Sequence, residues 1–207
     1  MLSIEQVLGF LTAAVLITLS PGPDNMMVLG IGMAKGRARG MAFGLGCALG
    51  CLSHTVLATL GVSALIAASP AAFTLLKVAG GLYLVWLGLQ ALRSRGGARA
   101  ATVTASEPLS TLFAKGLLAN AINPKVVLFF LSFLPQFVVA AHGHANLQTA
   151  ALGLIFTVQA ALLFGLLGFF SGSVGAWLAR RPSAGMWLDR LAGGIFVALG
   201  LKLLVAR

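Results

Sequence analysis

Ser20-Pro21-Gly22-Pro23-Asp24-Asn25 interrupts an apolar run that extends from Ile4 to Met33. Proline has no backbone N–H, and its ring clashes with the carbonyl one turn earlier. A helix passing through this run must therefore break here. In hydrocarbon, freed backbone groups find no water, so broken helices persist only where protein or an aqueous cavity covers them. Asp24 adds a carboxylate at a depth where a charge costs about 2.5–3.5 kcal/mol on the insertion scale. So costly a break is retained where it holds something, and the stretch reads as a transport site.

Composition agrees with a membrane setting. The chain has 207 residues, 59% of them apolar and only 9% charged, and its mean hydropathy is +1.00. A membrane crossing takes about 20 apolar residues. Six segments qualify, at about 4–34 (interrupted), 41–68, 70–92, 116–140, 147–178 and 186–205. No soluble domain fits in what remains. The net charge of +10 does not indicate nucleic acid, because the cations flank apolar segments along the whole chain and form no single patch.

Their placement orients the chain instead. Lys35, Arg37 and Arg39 lie between the first two segments, Arg93, Arg95, Arg99 and Lys115 between the third and fourth, and Arg180, Arg181 and Arg190 beside the last two. The stretches at Ser69-Pro70 and Ala141–Gln148 carry no Lys or Arg. The positive-inside rule puts the basic loops in the cytoplasm and both termini on the outer side. Trp86, Trp177 and Trp187 fall near the cytoplasmic ends, as an interfacial belt would. The N-terminus lacks the basic region and cleavage site of a signal peptide.

Two stretches match position by position: Lys77-Val78-Ala79-Gly80-Gly81-Leu82-Tyr83-Leu84 and Arg190-Leu191-Ala192-Gly193-Gly194-Ile195-Phe196-Val197. Each opens the third segment of a three-segment half. A half with an odd number of crossings is inverted relative to its copy, the plan of many secondary transporters. The expected fold is an all-α membrane protein of six transmembrane helices, arranged as two inverted three-helix repeats with broken first and fourth helices. Repeat one covers about 1–92, a cytoplasmic linker containing Gly96-Gly97 about 93–110, and repeat two about 111–207. The second half carries its own break, Asn120-Ala121-Ile122-Asn123-Pro124-Lys125, and a further proline in Leu134-Pro135-Gln136-Phe137. Whether Pro21 corresponds to Pro124 or to Pro135 is open at this level.

Each break reads as the start of a half-helix. Ser and Asn are favoured N-caps and Pro the favoured first residue, so Ser20-Pro21, or alternatively Gly22-Pro23, and Asn123-Pro124 all fit. A helix start presents free N–H groups and a positive partial charge, which bind carboxylates. The candidate substrate-binding residues are Ser20, Pro21, Gly22, Pro23, Asp24, Asn25, Asn120, Asn123, Pro124 and Lys125. Lys125 sits unfavourably at a positive helix end and needs an anion, either Asp24 or a ligand carboxylate. Asp24 in turn suits a ligand ammonium, so the two form a receptor for a zwitterion, or else a structural ion pair. Desolvated ionisable groups can exchange protons, which makes Asp24, His54 and Lys125 the candidates for proton coupling. For His54 a plain hydrogen bond to a neighbouring helix is an equal alternative, and Gln159 is a weaker candidate of the same kind.

Other features read as architecture. Cys47 and Cys51, one turn apart, are expected to be small packing residues. Gly40, Gly44, Gly46 and Gly50, and Gly165, Gly168, Gly172 and Gly175, suit close helix packing. His142 and His144 flank Gly143 without further ligands, so no metal site is expected. No nucleophile–base set and no cofactor-binding motif is present, and an enzyme is not expected.

The two breaks, with Phe129-Phe130, Leu134-Pro135-Gln136-Phe137, the Lys77–Leu87 stretch and Leu188-Asp189-Arg190-Leu191-Ala192-Gly193, together resemble the motifs of the LysE/RhtB family of amino-acid exporters. The similarity runs in order over nearly the whole chain. It implies a bacterial inner-membrane secondary transporter that exports amino acids or close derivatives by proton antiport, with no cofactor. Its implied partners are a small-molecule amino acid, protons and membrane lipids, but no nucleic acid, and a homodimer stays open. The alternatives are a divalent metal exporter of the same wider superfamily, disfavoured by a single intramembrane carboxylate facing Lys125, and a non-transporting membrane scaffold.

Overall fold

The computed structural model describes residues 2–20, 22–62, 69–93 and 107–205. Pro21 and the Gly96-Gly97 part of the expected linker lie outside the described residues. Among the described residues every regular element is helical.

The chain starts with α1 (Ile4–Leu19), α2 (Pro23–Lys35) and α3 (Arg37–Leu57), which runs on into a wider turn at Ala58–Val62. A capping box starts α1: the Ser3 hydroxyl accepts from the Gln6 N–H at 3.2 Å, and the Ser3 N–H donates to Gln6 Oε1 at 2.8 Å. Gly36 separates α2 from α3 at φ 91° and ψ 156°, a region essentially restricted to glycine. Next comes α4 (Pro70–Arg93), whose Ser69 hydroxyl accepts from the Ala72 N–H at 3.2 Å. After it come α5 (Leu109–Ala121) and α6 (Pro124–Leu128), the latter extended by a wide turn at Phe129–Phe133 and a tight one at Leu134–Phe137. The last three helices are α7 (Ala145–Phe169), α8 (Ser171–Arg180) and α9 (Pro182–Val205).

Among the described residues three helices are long and apolar enough to cross a membrane, at Arg37–Gly61, Thr74–Arg93 and Ala145–Phe169. The number rises to five if the pairs α1/α2 and α5/α6, bent by 54° and 49°, each count as one span. The second bent span starts at Leu109, earlier than the sequence boundary near 116, because Pro108 fixes the helix start. The expected fifth segment is two helices, α7 and α8, divided at Phe170. α7 shows the membrane pattern plainly. Leu154, Val158, Leu162 and Leu166 form an exposed stripe, while Phe156, Gln159 and Phe164 are buried. Trp86, Trp177 and Trp187 are exposed.

Glycine contacts give the helix directions. Gly44 lies against Phe164, Gly168 against Met41 and Gly153 against Thr55, so α3 and α7 are antiparallel. Gly46 sits between Phe113 and Leu117, and Gly50 between Leu117 and Asn120, so α3 and α5 run parallel. α4 and α9 cross antiparallel through four glycines in two mutual contacts: Gly81 with Gly200, and Gly88 with Gly193. A Cβ on any of the four would lie 2.7–3.1 Å from the partner's carbonyl oxygen. The sequence match aligns Gly80 with Gly193 and Gly81 with Gly194, but the glycines that enter the crossing are Gly81 and Gly193, while Gly80 packs on Ser132 and Gly194 faces open space. Gly165 and Gly172, expected to pack closely, also face open space.

Outside the apolar segments, Glu107 Oε1 accepts from Lys115 Nζ at 2.6 Å. That contact, with help from Lys35, holds the Glu107 carboxyl below its ordinary range.

Candidate functional site: a small cavity between two helix breaks

The two breaks meet. α1 ends at Ser20, whose N–H still bonds the Leu16 carbonyl at 3.0 Å and whose hydroxyl donates to the Ile17 carbonyl at 2.7 Å. Ser20 therefore closes α1 and does not cap α2, as the Ser20-Pro21 reading would require. The cap of α2 is Gly22, with Pro23 as first residue. In the second break Asn123 caps α6 as expected, its Oδ1 accepting from the Lys125 N–H at 3.0 Å, with Pro124 as first residue. Pro23 and Pro124 thus hold the same position in their helices.

Asp24 and Lys125 each follow these prolines directly, and both are buried, 4% and 7% exposed. They do not form an ion pair with each other. Lys125 Nζ donates to the Ser20 carbonyl at 2.9 Å, at the negative end of α1. Asp24 Oδ2 accepts from Asn120 Nδ2 at 2.8 Å, at the end of α5. Each charge leaves its own break and reaches the helix that enters the other. In place of an anion, Lys125 has a neutral backbone carbonyl at the negative end of a helix. Its ammonium also stands 5.4 Å from the Phe196 ring centre.

Asn120 is the hub of the site. Its side chain donates to Asp24, its Oδ1 accepts from Cys51 Sγ at 3.4 Å, and its backbone carbonyl faces His54 Nε2 at 3.0 Å. A carbonyl only accepts, so Nε2 carries the proton. Nδ1 of the same ring is buried with no hydrogen-bond partner among the described residues, as is Gln159 Oε1. Gln159 Nε2 donates to the Thr18 hydroxyl at 2.9 Å, and Asn25 Nδ2 to the Thr18 carbonyl at 2.8 Å. The bonds of Asn25 and Gln159 hold the last turn of α1 against α2 and α7.

Between these groups lies a cavity of about 20 Å³, room for about one water molecule. Asp24, Asn25, Asn120, Asn123 and Lys125 line it, together with Thr18, Cys51 and an apolar wall. Cys51, read from the sequence as packing only, is a wall residue and a hydrogen-bond partner. The signal that could have found it is its position one residue beyond Gly50 and three before His54, on the face of α3 that meets Asn120. Phe156 and Phe164 of the wall gave no signal beyond their hydrophobicity. His54 touches the site through Asn120 without lining the cavity. His142 lies apart, with Nδ1 3.2 Å from Gln6 Oε1. Among the described residues no three of His, Cys, Asp and Glu converge.

On the side of the cavity toward the start of α1, the Phe10 ring stands 6.0 Å from Phe129, 5.5 Å from Phe137 and 6.5 Å from Phe156. Beyond it, Gln148 is fully bonded: Nε2 donates to the carbonyls of Val139 (3.0 Å) and Gly143 (2.8 Å), and Oε1 accepts from the Val139 N–H (3.1 Å) and Gln6 Nε2 (3.2 Å). Gln6 Nε2 also donates to the Phe137 carbonyl at 2.8 Å. An aromatic plug and an amide latch thus close this end.

Comparison with known proteins places this geometry in a family. The family model for LysE type translocators matches residues 15–207. The threonine efflux protein of Escherichia coli is 32% identical over 212 residues, covering 96% of this chain and 98% of that protein. The homoserine/homoserine lactone efflux protein of Salmonella typhi is 29% identical over 206 residues, covering 100% and 99%. An uncharacterized membrane protein of Vibrio cholerae is 31% identical over 201 residues, covering 97% of each. No solved structure matches. The chain belongs to the LysE type translocators.

Proposed function

We propose that this protein exports amino acids or close derivatives across the bacterial inner membrane by proton antiport, around the cavity between the breaks at Gly22-Pro23 and Asn123-Pro124. The observation that carries the proposal is the placement of Asp24 and Lys125. Two opposite charges line one buried cavity, each held by a neutral partner instead of by the other. A zwitterion satisfies both, with its carboxylate displacing the Ser20 carbonyl at Lys125 and its ammonium displacing the Asn120 amide at Asp24. Relatives named for efflux of threonine, homoserine and leucine support the substrate class.

The reading has six crossings in two inverted halves, with both termini periplasmic. The antiparallel α3/α7 and α4/α9 crossings, the parallel α3/α5 pair and the equivalent positions of Asp24 and Lys125 support it. The cavity is too small for any amino acid, so transport requires each end to open in turn. The candidates for proton coupling in this scheme are Asp24, His54 and Lys125. His54 positions Asn120 beside Asp24.

Export from bacteria loaded with dipeptides tests the function. Cells carrying the chain should release an amino acid faster than cells without it. Asp24→Asn and Lys125→Met should abolish that release while the protein still inserts and folds. No accelerated release of any amino acid from a protein present in the membrane would refute the proposal. Variants that fail to assemble, with no flux lost from those that do, would mark a scaffold.

A further inference from the structure

We propose that the cavity selects amino acids whose side chains carry no charge, and that Phe129, Phe156 and Phe164 set the space for that side chain. The inference rests on the amino-acid reading above and narrows it.

The cavity is lined by residues of two kinds. The polar ones include a single acid, Asp24, and a single base, Lys125. The apolar ones are Ile17, Val126, Phe129, Phe156 and Phe164, with the rings of Phe129 and Phe156 in contact at 5.3 Å. The α-ammonium and α-carboxylate of a substrate use the acid and the base, which leaves the apolar residues for the side chain.

A second substrate charge would have no counter-charge. The whole chain contains four acidic residues. Of the other three, Glu5 lies exposed in the first turn of α1, Glu107 is bonded to Lys115 ahead of α5, and Asp189 lies in α9, and none lines the cavity. The ammonium of a lysine side chain or the guanidinium of an arginine would meet aliphatic groups and ring faces. Rings attract cations, but by far less than burial of an unmatched charge costs. A glutamate side chain would compete with its own α-carboxylate for Lys125 and be repelled by Asp24.

The apolar lining is also stiff. Phe129 stands 5.3 Å from Phe156 and 5.2 Å from Phe133. Phe156 meets Phe130 edge-on at 4.9 Å. A Cβ on Gly44 would lie 3.0 Å from the Cβ of Phe164, so that residue is pressed against α3. Rotamer changes alone would therefore not adapt the wall to a larger side chain.

Exchange in proteoliposomes tests this with the full-length protein. Vesicles are preloaded with one unlabelled amino acid, and entry of the same labelled compound is followed for leucine, threonine, lysine, arginine and glutamate. Leucine or threonine should exchange on the order of tenfold or more faster than the three charged compounds. Lysine, arginine or glutamate exchanging at a rate close to that of the best neutral compound would overturn the selection while leaving amino-acid transport standing. No exchange of any of the five by folded protein would overturn transport itself, and this inference with it. Phe156→Leu and Phe164→Leu should each raise phenylalanine exchange relative to leucine several-fold. An equal change for both compounds in both variants would overturn the role assigned to the rings.

Discussion

Asp24 and Lys125 occupy the same place in two different helices, one residue after the opening proline, and each is held by the helix that leads into the other's break. This exchange makes the two breaks one site. Neither charge can be released without disturbing the opposite half of the molecule.

Asn120→Leu removes the amide that Asp24 holds at 2.8 Å. A buried carboxylate that loses its donor is expensive, so the variant should lose about 2–4 kcal/mol of stability. Asp24→Asn in the same background should recover part of the loss. Unfolding in detergent of both single variants and the double variant checks this as a thermodynamic cycle, and additive losses would contradict it.

Gly22→Ala addresses Lys125 from the other break. Gly22 has φ −171°, which any residue adopts, so the effect is steric only. The new Cβ would lie 3.1 Å from Lys125 Nζ and would shift the ammonium by a few tenths of an ångström, lengthening its bond to the Ser20 carbonyl. Weakening the contact that a substrate carboxylate has to displace should lower KM for export, by about tenfold at most, and stability should fall by no more than about 1 kcal/mol. An unchanged KM would mean that the ammonium does not depend on this contact.

Two glycines of the small-residue rows should respond in opposite directions. A Cβ on Gly46 runs into the Phe113 carbonyl of α5, so Gly46→Ala should destabilise by about 1–3 kcal/mol. Gly165 has nothing within 4 Å of such a Cβ, so Gly165→Ala should stabilise by about 0.5–1 kcal/mol through helix propensity. Thermal unfolding of the two variants in one detergent compares them directly.

Gln148→Leu keeps the size of the latch and removes all its polar atoms. The Val139 N–H and the carbonyls of Val139 and Gly143 lose their partner together. The expected loss is about 2–4 kcal/mol, with faster proteolysis between Phe137 and Ala145 than in the unchanged protein. Cleavage at an unaltered rate would show that the latch does not hold this segment.

Much of this was legible in the residues themselves. Proline inside an apolar run breaks a helix wherever it occurs, so both breaks, Asp24, Asn120, Asn123 and Lys125 were found without coordinates. The pairing was not. Lys125 meets Ser20 across 105 positions, and Cys51 meets Asn120 across 69, and local pattern says nothing about which helix ends face each other. Charge complementarity offered Asp24 or a ligand carboxylate for Lys125, whereas the packing supplied a helix-end carbonyl, a neutral acceptor that composition cannot display. The aromatic wall escaped for a related reason. In a chain with 13 phenylalanines, a ring that lines a cavity reads like one that faces lipid.

The four-glycine crossing of α4 and α9 limits what kind of machine this can be. Backbone lies on backbone there, and Val85 and Val197 close the gaps beside Gly200 and Gly88. Displacing one helix along the other by a single residue would drive a side chain into a carbonyl. An axial slide of α4 along α9 is therefore barred at this seam, whereas a rotation about the crossing point is not.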